Sequence, residues 1–346
     1  MRGKMNVVYY SSDFFSEMCG ISIYSLCNSN KDADSIDIYI VEDKISNKNK
    51  ERLKSITDEF GRDLIFIKMP SQEEVYPGVK ENLGHTYARM AIGEILPKNI
   101  HRILSLDSDT LVLDSLKEMY EAEFNENEYV AGVFDCVGRA IQKGVLNCSD
   151  DIKYCNAGVF LIDLDKWRKE KVGQKLLQTV QDSTKNDQTM FFLEQDMMNL
   201  TFYGHLKLLD PRYNMLTLIA LFDYKDVILM KKPVTYYSEQ VVKAAKSNPA
   251  IVHATTCFYV KKRIWITNSD HPYANMYLKI RNKTPWKDDP MIADNRKQSK
   301  RIRATLWHMI PKWCAVRLAS FMINEIRPVY ARLTGKLAIA TIAKQS

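Results

Sequence analysis

Short apolar runs alternate with longer helical patterns through the first part of the chain. The runs at 6–10, 36–41 and 64–69 have the length and the Val, Ile and Tyr content of buried strands, and helical patterns at 15–28 and 47–60 separate them. Strand–helix–strand alternation is typical of a parallel sheet with helices on both faces. We therefore predict an α/β fold with a mostly parallel sheet flanked by helices.

The alternation continues into the middle of the chain, where further elements are predicted. The predicted helices cover 86–96, 165–180 and 188–200, and the predicted strands cover 102–106, 130–134, 158–162, 206–209 and 250–253. The residues from Pro211 onward have the composition of a loop.

The formal net charge of the 346 residues is +7, a value that could indicate nucleic-acid binding. However, residues 296–346 contain eleven Lys and Arg and one acid, Glu325, so this segment carries +10 and the remainder about −3. A nucleic-acid enzyme would carry a basic stripe across its body. We therefore expect no nucleic-acid partner.

The basic segment 296–346, called the tail below, also contains regularly spaced apolar residues. Their spacing near three and four predicts an amphipathic helix that begins at Pro311 and ends before Pro328. Basic amphipathic helices with Trp and Phe bind anionic membrane surfaces, but the pattern also fits a helix that packs against the body with a solvated basic face. We expect residues 287–295 to link the tail to a body formed by 1–286. Removal of an independent tail should leave the body's activity intact.

The apolar run at the N-terminus is broken at Ser11 and is too short for the core of a signal peptide. No stretch of about 18 apolar residues predicts a transmembrane helix. The seven cysteines are scattered and form no CxxC pair, which favours reduced thiols over disulfides or a zinc site. We expect a cytoplasmic protein, peripheral at the inner face of the cytoplasmic membrane if the tail binds lipid.

Two carboxylates, Asp107 and Asp109, directly follow the predicted strand 102–106. Ligands of open α/β sheets bind beyond the carboxyl ends of strands, and two Asp one residue apart can share a divalent ion such as Mg²⁺ or Mn²⁺. The other two Asp-x-Asp triplets, at 32–34 and 163–165, lie before a strand and before a helix, where Asp163 could be a cap.

A histidine, His253, ends the last predicted strand. As a third ligand beside two Asp it would shift the preference from Mg²⁺ toward Mn²⁺, because imidazole suits softer ions. Lys261, Lys262 and Arg263 follow it and could either neutralise phosphates or form a solvated turn.

Taken together, several segments in chain order resemble glycosyltransferase family 8. They are NVVYYSSDFF (6–15), HTYARMAIGEIL (85–96), RILSLDSDTLVLDSL (102–116), YCNAGVFLIDLDKWR (154–168), LEQDMMN (193–199), IVHATTC (251–257) and HPYANMYLKIRNKTPWKD (271–288). This resemblance implies the GT-A, Rossmann-like fold and a retaining transferase that uses a nucleotide sugar.

The resemblance also implies roles for individual residues. The implied metal ligands, for Mn²⁺ or Mg²⁺, are Asp107, Asp109 and His253. The implied donor-binding residues are Tyr10, Ser11, Asp13, Arg89, Ser108, Asn156, Ala157, Thr256, Lys261 and Lys262. The implied residues of the reaction centre are Glu194, Gln195 and Asp196, and the implied acceptor contact is Asp135.

Three positions depart from the family pattern. Ser12 stands at the usual first-loop carboxylate, Thr256 at a usual glycine, and Glu194 at a usual Asp of the sugar contact. We expect transfer of glucose or galactose from UDP-glucose or UDP-galactose to a saccharide hydroxyl with retained configuration, the acceptor being a cell-envelope or capsular glycan that can be lipid-linked. Gln195 is a poor nucleophile, which favours front-face attack, while Glu194 and Asp196 are candidates for a covalent intermediate.

Three alternative functions have weaker support from the sequence. A metal-dependent nucleotidyltransferase would carry a Gly-rich basic loop after the first strand, where this chain has YSSDFFSEMCG. A non-enzymatic, membrane-associated binding protein would have no need of the Asp-x-Asp, Arg89 and Glu-Gln-Asp set. A self-glucosylating primer similar to glycogenin would need a tyrosine acceptor, for which the tail offers Tyr330.

Overall fold

The structure is a computed structural model that describes residues 4–80, 83, 86–144, 152–185 and 193–334. Cys148 and residues 188–192, the start of one predicted helix, lie outside this range. In the part of the chain that the structure describes, the other six cysteines are free thiols.

Ten strands form within the described residues. They are β1 (Lys4–Ser12), β2 (Ser35–Asp43), β3 (Asp63–Lys68), β4 (Arg102–Leu106), β5 (Thr110–Val112), β6 (Val130–Phe134), β7 (Cys155–Asp163), β8 (Leu206–Leu208), β9 (Met215–Leu216) and β10 (Ile251–His253). Seven build one sheet in the order β3-β2-β1-β4-β7-β6-β8, in which β7 is antiparallel to both neighbours and the other pairs are parallel. The predicted mostly parallel sheet is confirmed.

A second, small sheet has the order β5-β10-β9. Strand β10 pairs with β5 in antiparallel register, so that His253 lies opposite Thr110, one residue after Asp109. Strand β5 was not predicted, because three residues are too few to show an alternating pattern. This pairing brings the last strand of the body to the turn that follows β4.

Helices cover both faces of the large sheet and extend into the tail. They are α1 (Ser16–Ser29), α2 (Asn47–Glu59), α3 (Gln72–Val75), α4 (Thr86–Met90), α5 (Ile92–Ile95), α6 (Lys117–Tyr120), α7 (Arg139–Gly144), α8 (Leu164–Lys169), α9 (Val172–Lys185), α10 (Leu193–Thr201), α11 (Thr217–Leu221), α12 (Tyr224–Lys231), α13 (Glu239–Ser247), α14 (Ala274–Arg281), α15 (Gln298–Met309), α16 (Lys312–Phe321) and α17 (Arg327–Thr334). Of the helices described, none has the length and apolar content needed to cross a bilayer.

Strand β1 shows how the core is divided between the two faces of the sheet. Val7 and Tyr9 pack in one apolar cluster with residues of α1 and α2, whereas Val8 packs in another with residues of α4, α5, α8 and α9. Successive side chains of a strand point to opposite faces, so a strand covered on both sides is apolar throughout. The continuous apolar run at 6–10 therefore reflects burial on both faces.

Two helix predictions differ from the structure in detail. The predicted helix 165–180 is two helices, α8 and α9, because Lys171 adopts φ +51° between them. The predicted helix 86–96 is likewise divided into α4 and α5. The cap suggested at Asp163 is confirmed, because its Oδ1 accepts a hydrogen bond from the Lys166 N–H at 2.9 Å.

The sequence predicted that the tail helix ends before Pro328, but the helix continues past this residue. A π-helical turn at Met322–Ile326 follows α16, and Pro328 lies inside α17. Proline lacks an N–H and clashes with the carbonyl four residues earlier, so the wider π turn lets the helix continue past it. The inner face of α16 packs against the body, where Ser320 Oγ donates to the Leu229 carbonyl at 2.7 Å.

Candidate active site

Three potential metal ligands come together where the two sheets meet. Asp107 and Asp109 lie in the turn between β4 and β5, and His253 ends β10. His253 Nε2 lies 3.1 Å from Asp109 Oδ1 and 3.5 Å from Asp107 Oδ2. One ligand atom from each residue falls within 4.8 Å of the others. Two carboxylates and one imidazole form a donor set that fits Mn²⁺ or Mg²⁺.

The burial of this triad shifts the ionisation of its members. Burial lowers the pKa of His253, but the carboxylates of Asp109 and Asp107 together raise it more, so the pKa lies above its usual value. Burial raises the pKa of Asp109, and the charges of His253 and Arg263 together bring it below its usual value. The raised pKa of His253 reflects the negative potential of the two carboxylates, and a divalent cation bound there would meet the same potential and require the neutral imidazole.

A second set of side chains orients the imidazole. His253 Nδ1 lies 3.2 Å from Oδ1 of Asn214, and Asn214 Nδ2 donates to Oδ1 of Asn156 at 3.0 Å. Because the Asn214 amide donates to Asn156, its oxygen faces His253 and accepts from Nδ1–H, which leaves Nε2 toward the carboxylates. Asn214 is not among the predicted site residues, because the sequence predicts a loop from Pro211 onward, whereas the structure forms a 3-10 turn at Pro211–Asn214 followed by β9 and α11.

A guanidinium group joins the three potential ligands Asp107, Asp109 and His253, called the metal triad below, to α10. Arg89 of α4 forms an ion pair with Asp107, and its Nε lies 2.8 Å from Glu194 Oε1. The second contact is an ion pair rather than an aligned hydrogen bond, since within the described chain Glu194 Oε1 has no hydrogen-bond partner. Arg89 also donates to the Ala157 carbonyl at 3.1 Å and lies 5.0 Å from the ring centre of Tyr10. The residue thus connects four of the predicted site positions.

Both the oxygen and the nitrogen of the Gln195 carboxamide are hydrogen-bonded. Its Oε1 accepts hydrogen bonds from Asn156 Nδ2 at 3.0 Å and from the Ala157 N–H at 3.2 Å, and its Nε2 donates to Asp135 Oδ2 at 3.0 Å. With Asn214 these contacts form a continuous chain of polar side chains from His253 to Asp135. One continuous polar network therefore joins the metal triad to the Glu-Gln-Asp segment.

Asp196, the neighbour of Gln195, lies deeper in the protein. Its side chain is fully buried and accepts a hydrogen bond from the Tyr154 hydroxyl. Glu194 instead pairs with Arg89, and burial raises the pKa of its carboxyl while Arg89 opposes that shift. The two acids that flank Gln195 thus have different surroundings.

The loop after β1 lies beside the Asp-x-Asp turn. Ser108 Oγ donates to the Tyr10 carbonyl at 3.3 Å, and Ser11 is buried next to it. Asp13 is exposed, and its Oδ1 accepts from the Ser46 N–H and from Asn49 Nδ2, both at 2.8 Å. The Ser46 hydrogen bonds are the main reason that the pKa of Asp13 lies below its usual value.

The segment that follows β10 approaches the triad through one of its three basic residues. Arg263 Nη1 lies 3.5 Å from Asp109 Oδ2, whereas Lys262 Nζ donates to the Thr267 carbonyl at 2.9 Å. Among the residues that the structure describes, the Lys261 ammonium has no hydrogen bond or ion pair. Thr256 is exposed.

Comparisons with known proteins agree with this arrangement. The family model "Glycosyl transferase family 8" matches residues 6–256. General stress protein A of Bacillus subtilis is 26% identical over 286 residues, which cover 82% of this chain and 94% of that protein. Lipopolysaccharide 1,3-galactosyltransferase of Salmonella typhimurium is 21% identical over 314 residues, 88% of this chain and 86% of that protein.

Solved structures share the fold. The galactosyltransferase LgtC in complex with donor and acceptor sugar analogues superposes with a TM-score of 0.65 at 19% identity, covering 86% of this chain and all of that one. The glycosyltransferase GlyE of Streptococcus pneumoniae superposes with a TM-score of 0.58 at 20% identity, covering 88% of this chain and 64% of that one. The chain therefore belongs to glycosyl transferase family 8 and is a glycosyltransferase of the GT-A type.

Proposed function

We propose that this glycosyltransferase moves a hexose, glucose or galactose, from UDP-glucose or UDP-galactose to a hydroxyl of a saccharide acceptor with retained configuration. The observation that carries the proposal is the continuous chain of polar contacts from His253 through Asn214, Asn156 and Gln195 to Asp135. It joins a divalent-cation donor set to the groups that would surround a sugar. Relatives named lipopolysaccharide 1,3-galactosyltransferase and lipopolysaccharide 1,2-glucosyltransferase support a hexose donor.

Asp107, Asp109 and His253 would hold the metal ion, with Mn²⁺ favoured over Mg²⁺ by the imidazole nitrogen. When bound, such an ion supplies Lewis-acid stabilisation of the diphosphate leaving group. The residues fit this role because one ligand atom from each lies within 4.8 Å of the others. In addition, Asn214 orients the imidazole so that Nε2 faces the two carboxylates.

The donor would lie between the loop after β1, α4 and the segment after β10. In this proposal Tyr10, Ser11 and Asp13 hold the uracil and ribose, and Arg89 contacts the sugar and phosphates. Lys261 has the more available ammonium of the two lysines and would face the diphosphate, while Lys262 is bonded to the Thr267 carbonyl. The remaining donor contacts proposed are Ser108, Asn156, Ala157 and Thr256.

At the reaction centre, Gln195 would lie beneath the anomeric carbon. Both ends of its carboxamide are hydrogen-bonded, so it is oriented but remains a poor nucleophile. We therefore favour front-face attack, in which the leaving phosphate accepts the proton of the acceptor hydroxyl while the C–O bond to the diphosphate breaks. Full burial of Asp196 supports a structural role for it, and Glu194 is the stronger candidate for an alternative covalent intermediate. Asp135 would contact the acceptor.

The tail supports an anionic membrane surface as a partner. While Val316 and Ala319 pack into the body, Trp313 and Phe321 are 61% and 55% exposed on the outer side of α16 and its end, near Arg317. Exposed aromatic and basic residues on one helix favour the membrane interface. We propose a cytoplasmic enzyme, peripheral at the inner face of the membrane, whose acceptor is a lipid-linked cell-envelope or capsular saccharide.

Incubation with a panel of UDP-sugars and Mn²⁺, with UDP release as the readout, tests the function. We expect release with UDP-glucose or UDP-galactose and its loss on removal of the metal. Asp109→Asn should abolish metal-dependent release while the protein remains folded. Absence of release with every UDP-sugar, or full activity of Asp109→Asn, would contradict the proposal.

A further inference from the structure

Helix α15 of the tail contacts the segment that follows His253. The Trp307 ring meets the Phe258 ring edge-on, with 4.7 Å between ring centres and 65° between planes. The His308 ring stacks on Tyr259 at 4.7 Å and 18°, and its Nε2 lies 3.3 Å from Asp270 Oδ2. Two consecutive tail residues therefore contact the segment 254–263, which is called the basic loop below.

Asp270, the carboxylate beside His308, determines the path of the basic loop. Its two oxygens accept hydrogen bonds from the backbone N–H groups of Lys261 and Lys262 at 2.8 and 2.9 Å. The loop is also bonded to the metal triad, because the Ala254 N–H donates to the Asp109 carbonyl at 2.9 Å and Arg263 pairs with the Asp109 side chain. The basic loop thus lies between the triad on one side and α15 on the other.

The two sides of α15 differ. Trp307 and His308 are partly buried against the loop, and Trp307 packs on the apolar cluster of the small sheet. Ile302, Leu306 and Met309 are 51%, 55% and 74% exposed. Stacked and edge-on aromatic pairs have preferred geometries, so the contact of α15 constrains the orientation as well as the position of Phe258 and Tyr259.

We propose that Trp307 and His308 are positioning residues for the donor site: they hold the basic loop so that Lys261 faces the donor diphosphate. The proposal rests on the proposed function for the identity of that ligand. It makes α15 part of the donor site rather than an independent appendage. Deletion of 296–346 should then weaken donor binding, in contrast to the expectation from the sequence that the body works alone.

The test compares full-length Trp307→Ala and His308→Ala with a control on the exposed side of the same helix, Leu306→Ala. Hydrogen–deuterium exchange of the peptide covering 257–263 measures how well the loop amides are protected. Calorimetry in the presence of Mn²⁺ measures the affinity for UDP. We expect about tenfold faster exchange of the loop amides and about three- to tenfold weaker UDP binding in the first two variants. The control should match the wild type, and Trp307→Phe should keep most of the affinity.

Loop exchange in Trp307→Ala and His308→Ala that equals the control would overturn the proposal. So would faster exchange spread evenly over β1 and β4, because the contact would then only stabilise the fold. If the wild type does not bind UDP with Mn²⁺, the proposed function fails, but the exchange comparison still decides whether α15 holds the loop.

Discussion

Gly158 of β7 lies directly beneath the imidazole of His253. A Cβ atom at position 158 would lie 2.7 Å from His253 Nδ1, closer still to Cε1, and 2.8 Å from Asp107 Oδ2. Real Cβ atoms do not approach other atoms so closely, so any side chain here would displace the proposed metal ligands. The segment Asn156-Ala157-Gly158 therefore needs its glycine for space rather than for backbone freedom.

Substitution of this glycine should damage the metal site selectively. In Gly158→Ala, the methyl group would push the imidazole away from the two carboxylates, and we expect Mn²⁺ affinity to fall at least about tenfold. Calorimetric Mn²⁺ titration measures it, and circular dichroism verifies folding. Gly61→Ala serves as the control: its added carbon meets no atom within 4 Å, and its φ of +61° strains the backbone away from the site, so this variant should lose stability but bind Mn²⁺ normally. Wild-type affinity in Gly158→Ala would contradict the geometry.

The hydrogen bond between Asn214 and His253 should contribute to metal affinity although Asn214 is not a ligand. Asn214→Ala removes the acceptor that fixes the imidazole tautomer, and we expect a loss of about 10- to 100-fold in Mn²⁺ affinity. Asn248→Ala, an asparagine at the end of α13, is the control. Equal affinities for the two variants would show that the imidazole needs no such support.

The hydrogen bond between Gln195 and Asp135 predicts that a negative charge at position 195 lowers stability and activity. Gln195→Glu replaces the donating NH₂ with an oxygen close to the Asp135 carboxylate, and two adjacent carboxylates repel each other. We expect a loss of about 1–3 kcal/mol in the free energy of unfolding and at least about tenfold in kcat. Adding Asp135→Asn should recover the stability, because its amide can donate to the new carboxylate. If the double variant is no more stable than Gln195→Glu, the side chains at positions 135 and 195 are not energetically coupled across their 3.0 Å contact.

The exposed aromatic residues of the tail should bind anionic lipid. Trp313→Ala combined with Phe321→Ala should reduce co-sedimentation with phosphatidylglycerol vesicles at least about tenfold, since each side chain contributes roughly 1.5–3 kcal/mol when buried in apolar surroundings. Tyr203→Ala, an exposed aromatic of the body, is the matched control. Binding should also weaken as salt rises. Unchanged sedimentation of the double variant would exclude this surface.

His271 should make the protein less stable in acid. Burial, with the nearby charge of Arg263, lowers the pKa of His271 to about 4, and its ring bonds to Thr217 Oγ1 at 2.9 Å. A histidine with a depressed folded-state pKa contributes full stability above about pH 6.5 and loses it as pH falls toward 4.

Urea unfolding at pH 7 and pH 4.5 measures this loss. His271→Gln cannot gain a proton in this range, so the stability advantage of the wild type over the variant should shrink by about 2.4 kcal/mol between the two pH values. A constant difference would show that His271 titrates alike in the folded and unfolded chain.

Local patterns predicted the large sheet well because β1, β2 and β4 are mostly apolar runs buried on both faces. The same patterns missed β5 and merged α8 and α9 into one predicted helix, since a three-residue strand and a single left-handed residue leave no periodic signal. At the tail, Pro328 was expected to stop a helix that a π turn allows to continue. These differences depend on packing partners far away in the chain.

The sequence by itself determined the α/β class and the family and predicted the candidate site residues, because these follow from hydrophobic period and from motifs whose members lie close together in the chain. The tertiary structure alone decided which residues meet. The pairing of β10 with β5 brings His253 to the Asp-x-Asp turn, Asn214 fixes its ring, and α15 reaches the basic loop. Such contacts join residues far apart in the chain, and their geometry is set by the packing of whole strands and helices, which no local pattern records.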